Sequence, residues 1–225
     1  QISQKPVAAI DKVTDYLQVH RAFSLKQDTI IHIYAAGEFV KEMALSPWEY
    51  DNVEIFFDLE HERSTSFSGN DDDRQYRFNY DFQEITGNAP TFESIKLVQH
   101  DISPTRYSFE IAIPWNVLYA TDTIPAMNGK LGFDIAIADN DGEDRKGSLA
   151  WQSGLNESAW ANTSTYGTMI LSVASGPETD TICYALQAKN TPVLDGKNTG
   201  EWNAIPRYAI DTEFMPGITG AEDQS

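Results

Sequence analysis

Residues 139-DNDGED-144 set carboxylate and amide oxygens at alternate positions around a glycine, a composition that suits a tight turn around a hard cation. Asp139, Asp141 and Asp144 are therefore candidate ligands for Ca²⁺, although no glutamate completes the twelve-residue calcium loop of an EF-hand. The run Asp71-Asp72-Asp73 offers similar chemistry, and both stretches also read as plain acidic turns. Patterns for covalent catalysis are missing: there is no G-x-S-x-G, no H-E-x-x-H and no evident histidine partner for the lone Cys183. Glu54 and Asp58 share a strand face and resemble a glycosidase's carboxylate pair, but among 34 acidic residues such a pair is expected by chance. His61-Glu62 falls in the polar stretch 60-EHERSTS-66 and reads as surface loop.

The tryptophans divide by their neighbours. Trp115 in IAIPWNVL, Trp151 in LAWQS and Trp202 in GEWNAIP read as core. Trp48 lies between Pro47 and Glu49, and Trp160 lies in 156-NESAWANTS-164, polar on both sides. Each of these two reads either as a loop anchor or as an exposed flat face, against which the C–H face of a pyranose packs while its hydroxyls find polar partners at the rim.

The elements that must carry these residues are strands. Runs such as 29-TIIHIYA-35, 53-VEIFFDL-59, 107-YSFEIAI-113, 131-LGFDIAIA-138 and 166-YGTMILSV-173 are β-branched or aromatic. Several alternate, with Phe109, Ile111 and Ile113 on one face and Glu110 and Ala112 on the other. Turn chemistry separates them at 69-GNDDD-73, 87-GNAP-90, 128-NGK-130 and 139-DNDGED-144. Only 114-PWNVLYA-120 suggests a helical turn, with Pro114 at its first position. The expectation is an all-β, antiparallel sandwich of jelly-roll or immunoglobulin-like type, a single domain over 1–225.

Composition agrees and excludes some partners. With 41% hydrophobic and 12% aromatic residues in 225, the chain can bury a substantial core. A formal charge of −18 argues against nucleic acid and anionic membrane surfaces and favours neutral ligands or cations. No run approaches the length of a membrane span, and one cysteine excludes an internal disulfide.

The ordered set PWEYDNVEIFFD (47–58), DDDRQYRFNY (71–80), YSFEIAIPWNVL (107–118), LGFDIAIADNDGEDR (131–145) and W…YGTMIL (160–171) resembles carbohydrate-binding module family 9 over about 150 residues. The resemblance implies a non-catalytic module that binds the ends of xylan- or cellulose-type β-glycans by clamping a sugar between Trp48 and Trp160. Glu54, Arg77 and Arg145 match positions that hydrogen-bond the sugar, and Gln75, two residues before Arg77 on the same face, is a further candidate. It also implies structural calcium, a secreted, periplasmic or cell-surface location, and attachment to a glycoside hydrolase or another domain. Ala136 and Ala138 depart from the pattern, since the family often carries Gln and Asn there, so affinity and specificity are expected to differ.

Segment order departs as well. In the family a leader like 191-TPVLDGKNTGEW-202 comes first, whereas here it follows the Pro/Gly-bearing stretch 174-ASGPETDT-181. Residues 176–225 correspond to the usual N-terminal part and 1–175 to the remainder, the pattern of a circular permutation; a piece cut across two tandem modules is the rival. Two other classes stay open. A haem-binding cytochrome-type sandwich would draw on His20, His32, His100, Met43, Met127 and Met169. A structural or interaction domain would keep the sandwich without the sugar site.

Overall fold

The computed structural model describes residues 20–23, 30–38, 48, 50–67, 72–79, 85–103, 106–140, 145–152, 159–174, 176, 179, 181–188, 192–197, 202 and 212–213. Of 20–23, 30–38, 102–103, 106, 139–140, 145–147 and 212–213 the backbone alone is described. Twelve strands account for most of it: β1 (His20–Phe23), β2 (Ile30–Glu38), β3 (Asn52–Asp58), β4 (Asp73–Asn79), β5 (Ile85–Asn88), β6 (Lys96–Ser103), β7 (Arg106–Pro114), β8 (Lys130–Asn140), β9 (Arg145–Ala150), β10 (Gly167–Ser172), β11 (Ile182–Gln187) and β12 (Thr212–Glu213). The helical turn α1 (Trp115–Leu118) follows β7 directly. Pro114, expected at the first helical position, is the N-cap at φ −61° and ψ 142°, so the helix starts one residue later than the sequence suggested.

Hydrogen bonding runs in the order β5-β4-β3-β8-β10-β11-β1-β2-β7-β6, with β9 and β12 extending from β8. At about 4.8 Å per strand, β3 and β7 would lie about 29 Å apart in a flat sheet. Yet Val53, Ile55 and Phe57 of β3 share one core with Phe109, Ile111 and Ile113 of β7. The sheet therefore folds over itself into a β-sandwich, as the sequence led us to expect. Strand β8 makes the turn between layers: residues 130–133 pair with β10, while 132–138 pair with β3. Most neighbours are antiparallel; β11 departs from that expectation and runs parallel to both β10 and β1.

Alternation decides what enters the core. On β8, Leu131, Phe133, Ile135 and Ile137 point inward and are at most 3% exposed. Burial of such side chains contributes roughly 1.5–3 kcal/mol each. Trp115, Trp151 and Trp202 are buried, matching the sequence reading.

Strand β7 is buried on its second face too, where Ser108, Glu110 and Ala112 lie. Asp195, Gly196 and Trp202 reach across that face. Backbone amides of Asp195 and Gly196 donate to Glu110 Oε2 at 2.7 and 2.9 Å, and Trp202 Nε1 donates to Oε1 at 3.1 Å. The Ser108 hydroxyl donates to the Gly196 carbonyl. Gly196 has φ +71°, and a side chain there would run into His100. Burial pushes the Glu110 carboxyl above its ordinary range against the opposing pull of its three donors.

Candidate functional site

The outward face of β3 carries Asn52, Glu54, Phe56 and Asp58, the residues alternating with its core face. Cross-strand register aligns them in rows. Glu54 lies opposite Arg77 on β4 and Ala136 on β8, Asn52 opposite Asn79 and Ala138, and Asp58 opposite Asp73 and Gly132. Of these residues Glu54, Phe56, Arg77, Ala136 and Ala138 line a cleft of about 480 Å³, together with Trp48, Gln75, Ser148, Ala159 and Trp160.

Within the cleft one carboxylate is fully engaged. Arg77 Nε pairs with Glu54 Oε1 at 2.8 Å, and Gln75 Nε2 donates to Oε2 at 2.8 Å. Arg77 Nη1 reaches Thr86 Oγ1 on β5 at 3.3 Å. Gly87, at φ +130°, lets β5 approach closely, because a Cβ there would collide with the Gln75 carbonyl. The Glu–Arg pair is nearly buried, with side chains 10% and 12% exposed. Charge is thus cancelled within the protein, and polar atoms remain for a neutral ligand's hydroxyls.

Above this floor stand two uncovered indoles, Trp48 at 50% and Trp160 at 60% exposure. Trp160 is exposed, yet its turn is fixed. The Tyr166 hydroxyl donates to the Ala159 carbonyl, and Phe67 N donates to the Ala161 carbonyl at 2.8 Å. Asn162 caps the 3₁₀ turn Thr163–Thr165 by accepting from Ser164 N at 3.0 Å. Arg63 Nη2 donates to the carbonyls of Ser164 and Tyr166 at 3.1 and 2.8 Å. A flat apolar ring left in water on a rigid support suits stacking, since little conformational entropy remains to be lost on binding.

At the other end of β3, Asp58, Asp72 and Asp73 each offer an oxygen, all within 4.8 Å of one another. Asp58 is fully buried and accepts from the backbone amides of Glu62 and Arg63 at 3.1 and 2.8 Å. Asp72 Oδ2 accepts from Glu60 N at 3.0 Å. Asp73 is 4% exposed, and neither of its carboxylate oxygens has a hydrogen-bond partner. The neighbouring Arg74 donates instead to the carbonyls of Leu118 and Asp73. Burial, then the adjacent charges of Asp72, Asp58 and Glu62, raise the Asp73 carboxyl to about 7. Hard oxygen donors with orphaned, mutually repelling charge fit an oxygen-seeking cation such as Ca²⁺.

Five of the six sequence candidates for sugar contact, Trp48, Trp160, Glu54, Arg77 and Gln75, come together in one cleft. The side chains of Arg145 and Asp139, and all of Asp141 and Asp144, lie outside the described residues. Of the acidic run 71–73, Asp72 and Asp73 join a cluster that sequence reading had not extended to Asp58. Phe56, Ser148 and Ala159 were also not singled out. Phe56 follows Glu54 by two residues and was available from alternation; Ser148 enters only through the register Ala138↔Ser148. His61 corrects the surface-loop expectation, being partly buried with Nε2 2.8 Å from Thr168 Oγ1. Among the residues weighed for haem, Met169 is fully buried in the core and His100 packs at Gly196.

A family model described as "Carbohydrate family 9 binding domain-like" matches residues 27–174. The chain belongs to this family. This CBM9 chain is 31% identical over 176 residues to the endo-1,4-β-xylanase A of Thermoanaerobacterium saccharolyticum, covering 78% of the chain and 13% of that protein. It is 34% identical over 131 residues to the endo-1,4-β-xylanase A of Thermotoga maritima, covering 56% and 11%. It thus spans only a small part of the curated relatives it matches. A CBM9 structure from Caldicellulosiruptor kristjanssonii in complex with cellotriose superposes with a TM-score of 0.53 at 20% identity, covering 81% of this chain and 89% of that one, which shows the shared fold.

Proposed function

We propose that this CBM9 chain is a non-catalytic module that holds the end of a xylan- or cellulose-type β-glycan between Trp48 and Trp160. The observation that carries the reading is a pair of exposed indoles over a floor whose one carboxylate is already neutralised by Arg77 and Gln75. Such a floor binds a neutral, hydroxyl-rich ring without stranding charge, and the indoles supply the apolar contact. The xylanase relatives support a polysaccharide context, and with it a secreted or cell-surface setting beside a hydrolase domain. No described helix is long and apolar enough to cross a membrane.

In this reading Asp58, Asp72 and Asp73 hold a structural calcium ion, whose charge offsets theirs and fixes the loop that follows β3. The contacts of Asp195, Gly196 and Trp202 with Glu110 of β7 and the insertion of β11 between β10 and β1 support the permuted segment order, because these pieces pack into this module's own fold.

The test is tryptophan fluorescence titration with xylo- and cello-oligosaccharides in calcium. Saturable quenching is expected, and Trp48→Ala and Trp160→Ala should each weaken binding at least ~30-fold, the loss of about 2 kcal/mol typical of a central aromatic contact. A flat response from folded protein would refute the reading.

A further inference from the structure

The cleft floor is chemically divided, and the division runs between β3 and β8. One cross-strand row reads Thr86, Arg77, Glu54, Ala136, Ala150 across β5, β4, β3, β8 and β9, of which Arg77, Glu54 and Ala136 line the cleft. The next reads Asn79, Asn52, Ala138, Ser148, of which Ala138 and Ser148 line it. In both rows hydrogen-bonding side chains of full length stop at β3. Beyond it the described floor is methyl groups and one serine hydroxyl. Ala136 belongs to a small apolar cluster with Phe56, Ala150, Ala159 and Tyr166, separate from the main core.

A pyranose bearing only hydroxyls fits one half of this floor. Over the alanines the described residues offer its hydroxyls no partner but Ser148, and each group so stranded costs about 1–3 kcal/mol. A ligand with hydroxyls on the β3 and β4 side and a short apolar substituent on the β8 side matches both halves. An O-acetyl ester has the right chemistry: its methyl packs on the alanine methyls and Phe56, and its carbonyl, a pure acceptor, suits the Ser148 hydroxyl.

Resting on the sugar-binding reading above, we infer that the cleft selects glycan ends whose terminal residue is O-acetylated over the same ends left bare. Alanine at 136 and 138 is then the specificity determinant. It works by omission, since a methyl group at these positions gives a free hydroxyl no partner.

The experiment is calorimetric titration of the chain with O-acetylated xylotriose and with a portion of the same preparation deacetylated by mild alkali, so that chain length and purity are matched. We expect the acetylated form to bind about fivefold more tightly, the factor that corresponds to one avoided stranded hydroxyl at the low end of its cost. Ala138→Asn should reduce or invert that preference, and Ala136→Ser, a smaller change on the same side of the floor, should reduce it. Equal or weaker binding of the acetylated form, with the bare form still bound, would overturn this inference and leave the module's sugar binding intact. Binding of neither form by folded protein would overturn both.

Discussion

Two carboxylates on one strand face, four residues apart, have opposite fates. Glu54 faces Arg77 and accepts from both Arg77 and Gln75, so its charge is answered across β3 and β4. Asp58 faces Asp73 in the same strand pair, and Asp72 joins them, so like charge meets like charge. The backbone is the same in both places; the cross-strand partner differs. A site whose charge is closed internally is ready for a neutral ligand, and one left open calls for a cation from outside.

Breaking the closed end should have the largest effect. Arg77→Met removes the cation and leaves Glu54 nearly buried beside a single amide donor. Because the broken half of a buried pair keeps its desolvation cost, we expect a loss of about 3 kcal/mol in urea unfolding, and loss of sugar binding as well. If Arg77→Met and a joint Glu54→Gln, Arg77→Met variant are equally unstable, the cost is packing and the charge argument fails.

The open end should respond with a change of sign. In a chelator, Asp73→Asn removes one of three mutually repelling carboxylates, and we expect a gain of about 1 kcal/mol over the parent protein. In Ca²⁺ at about 100 times its dissociation constant, the parent gains about 2.7 kcal/mol and the variant much less, so their order reverses. Thermal unfolding of both proteins in the two buffers reads this directly. Curves that keep one order in both buffers would show that the cluster holds no cation.

The contrast also explains what was legible beforehand. Alternation in VEIFFD and RQYRFNY places Glu54, Arg77 and Gln75 on outward faces, and five motifs in family order make the sandwich and the pair of exposed tryptophans readable. Trp48 and Trp160 could be told from the core tryptophans because sequence neighbours report burial. The acidic cluster was half visible: Asp72 and Asp73 stand in an obvious acidic run, but Asp58 ends an apolar strand and meets them only through the β3–β4 register. Ser148 depends on a pairing that skips a bulge between Asp139 and Asn140, which no local pattern encodes. The contacts of Glu110 with Asp195, Gly196 and Trp202 are likewise long-range and invisible to periodicity.

The two ends are joined by the loop between them, and the smallest expected effect lies there. Asp58 accepts from Arg63 N, and Arg63 holds a left-handed backbone at φ 55° that a residue with a Cβ adopts only under constraint. From that position its guanidinium reaches the carbonyls of Ser164 and Tyr166, in the turn that presents Trp160. Neutralising the cluster should therefore steady the indole even though none of its three carboxylates lines the cleft. Arg63→Met keeps the apolar stem and deletes the link. We expect calcium to stabilise this variant about as much as the parent, while sugar affinity falls roughly threefold, less than one ordinary hydrogen bond's worth, and becomes independent of calcium. A parent protein whose sugar affinity is the same in chelator and in calcium would show that the ends work separately, whatever Arg63 contributes to the fold.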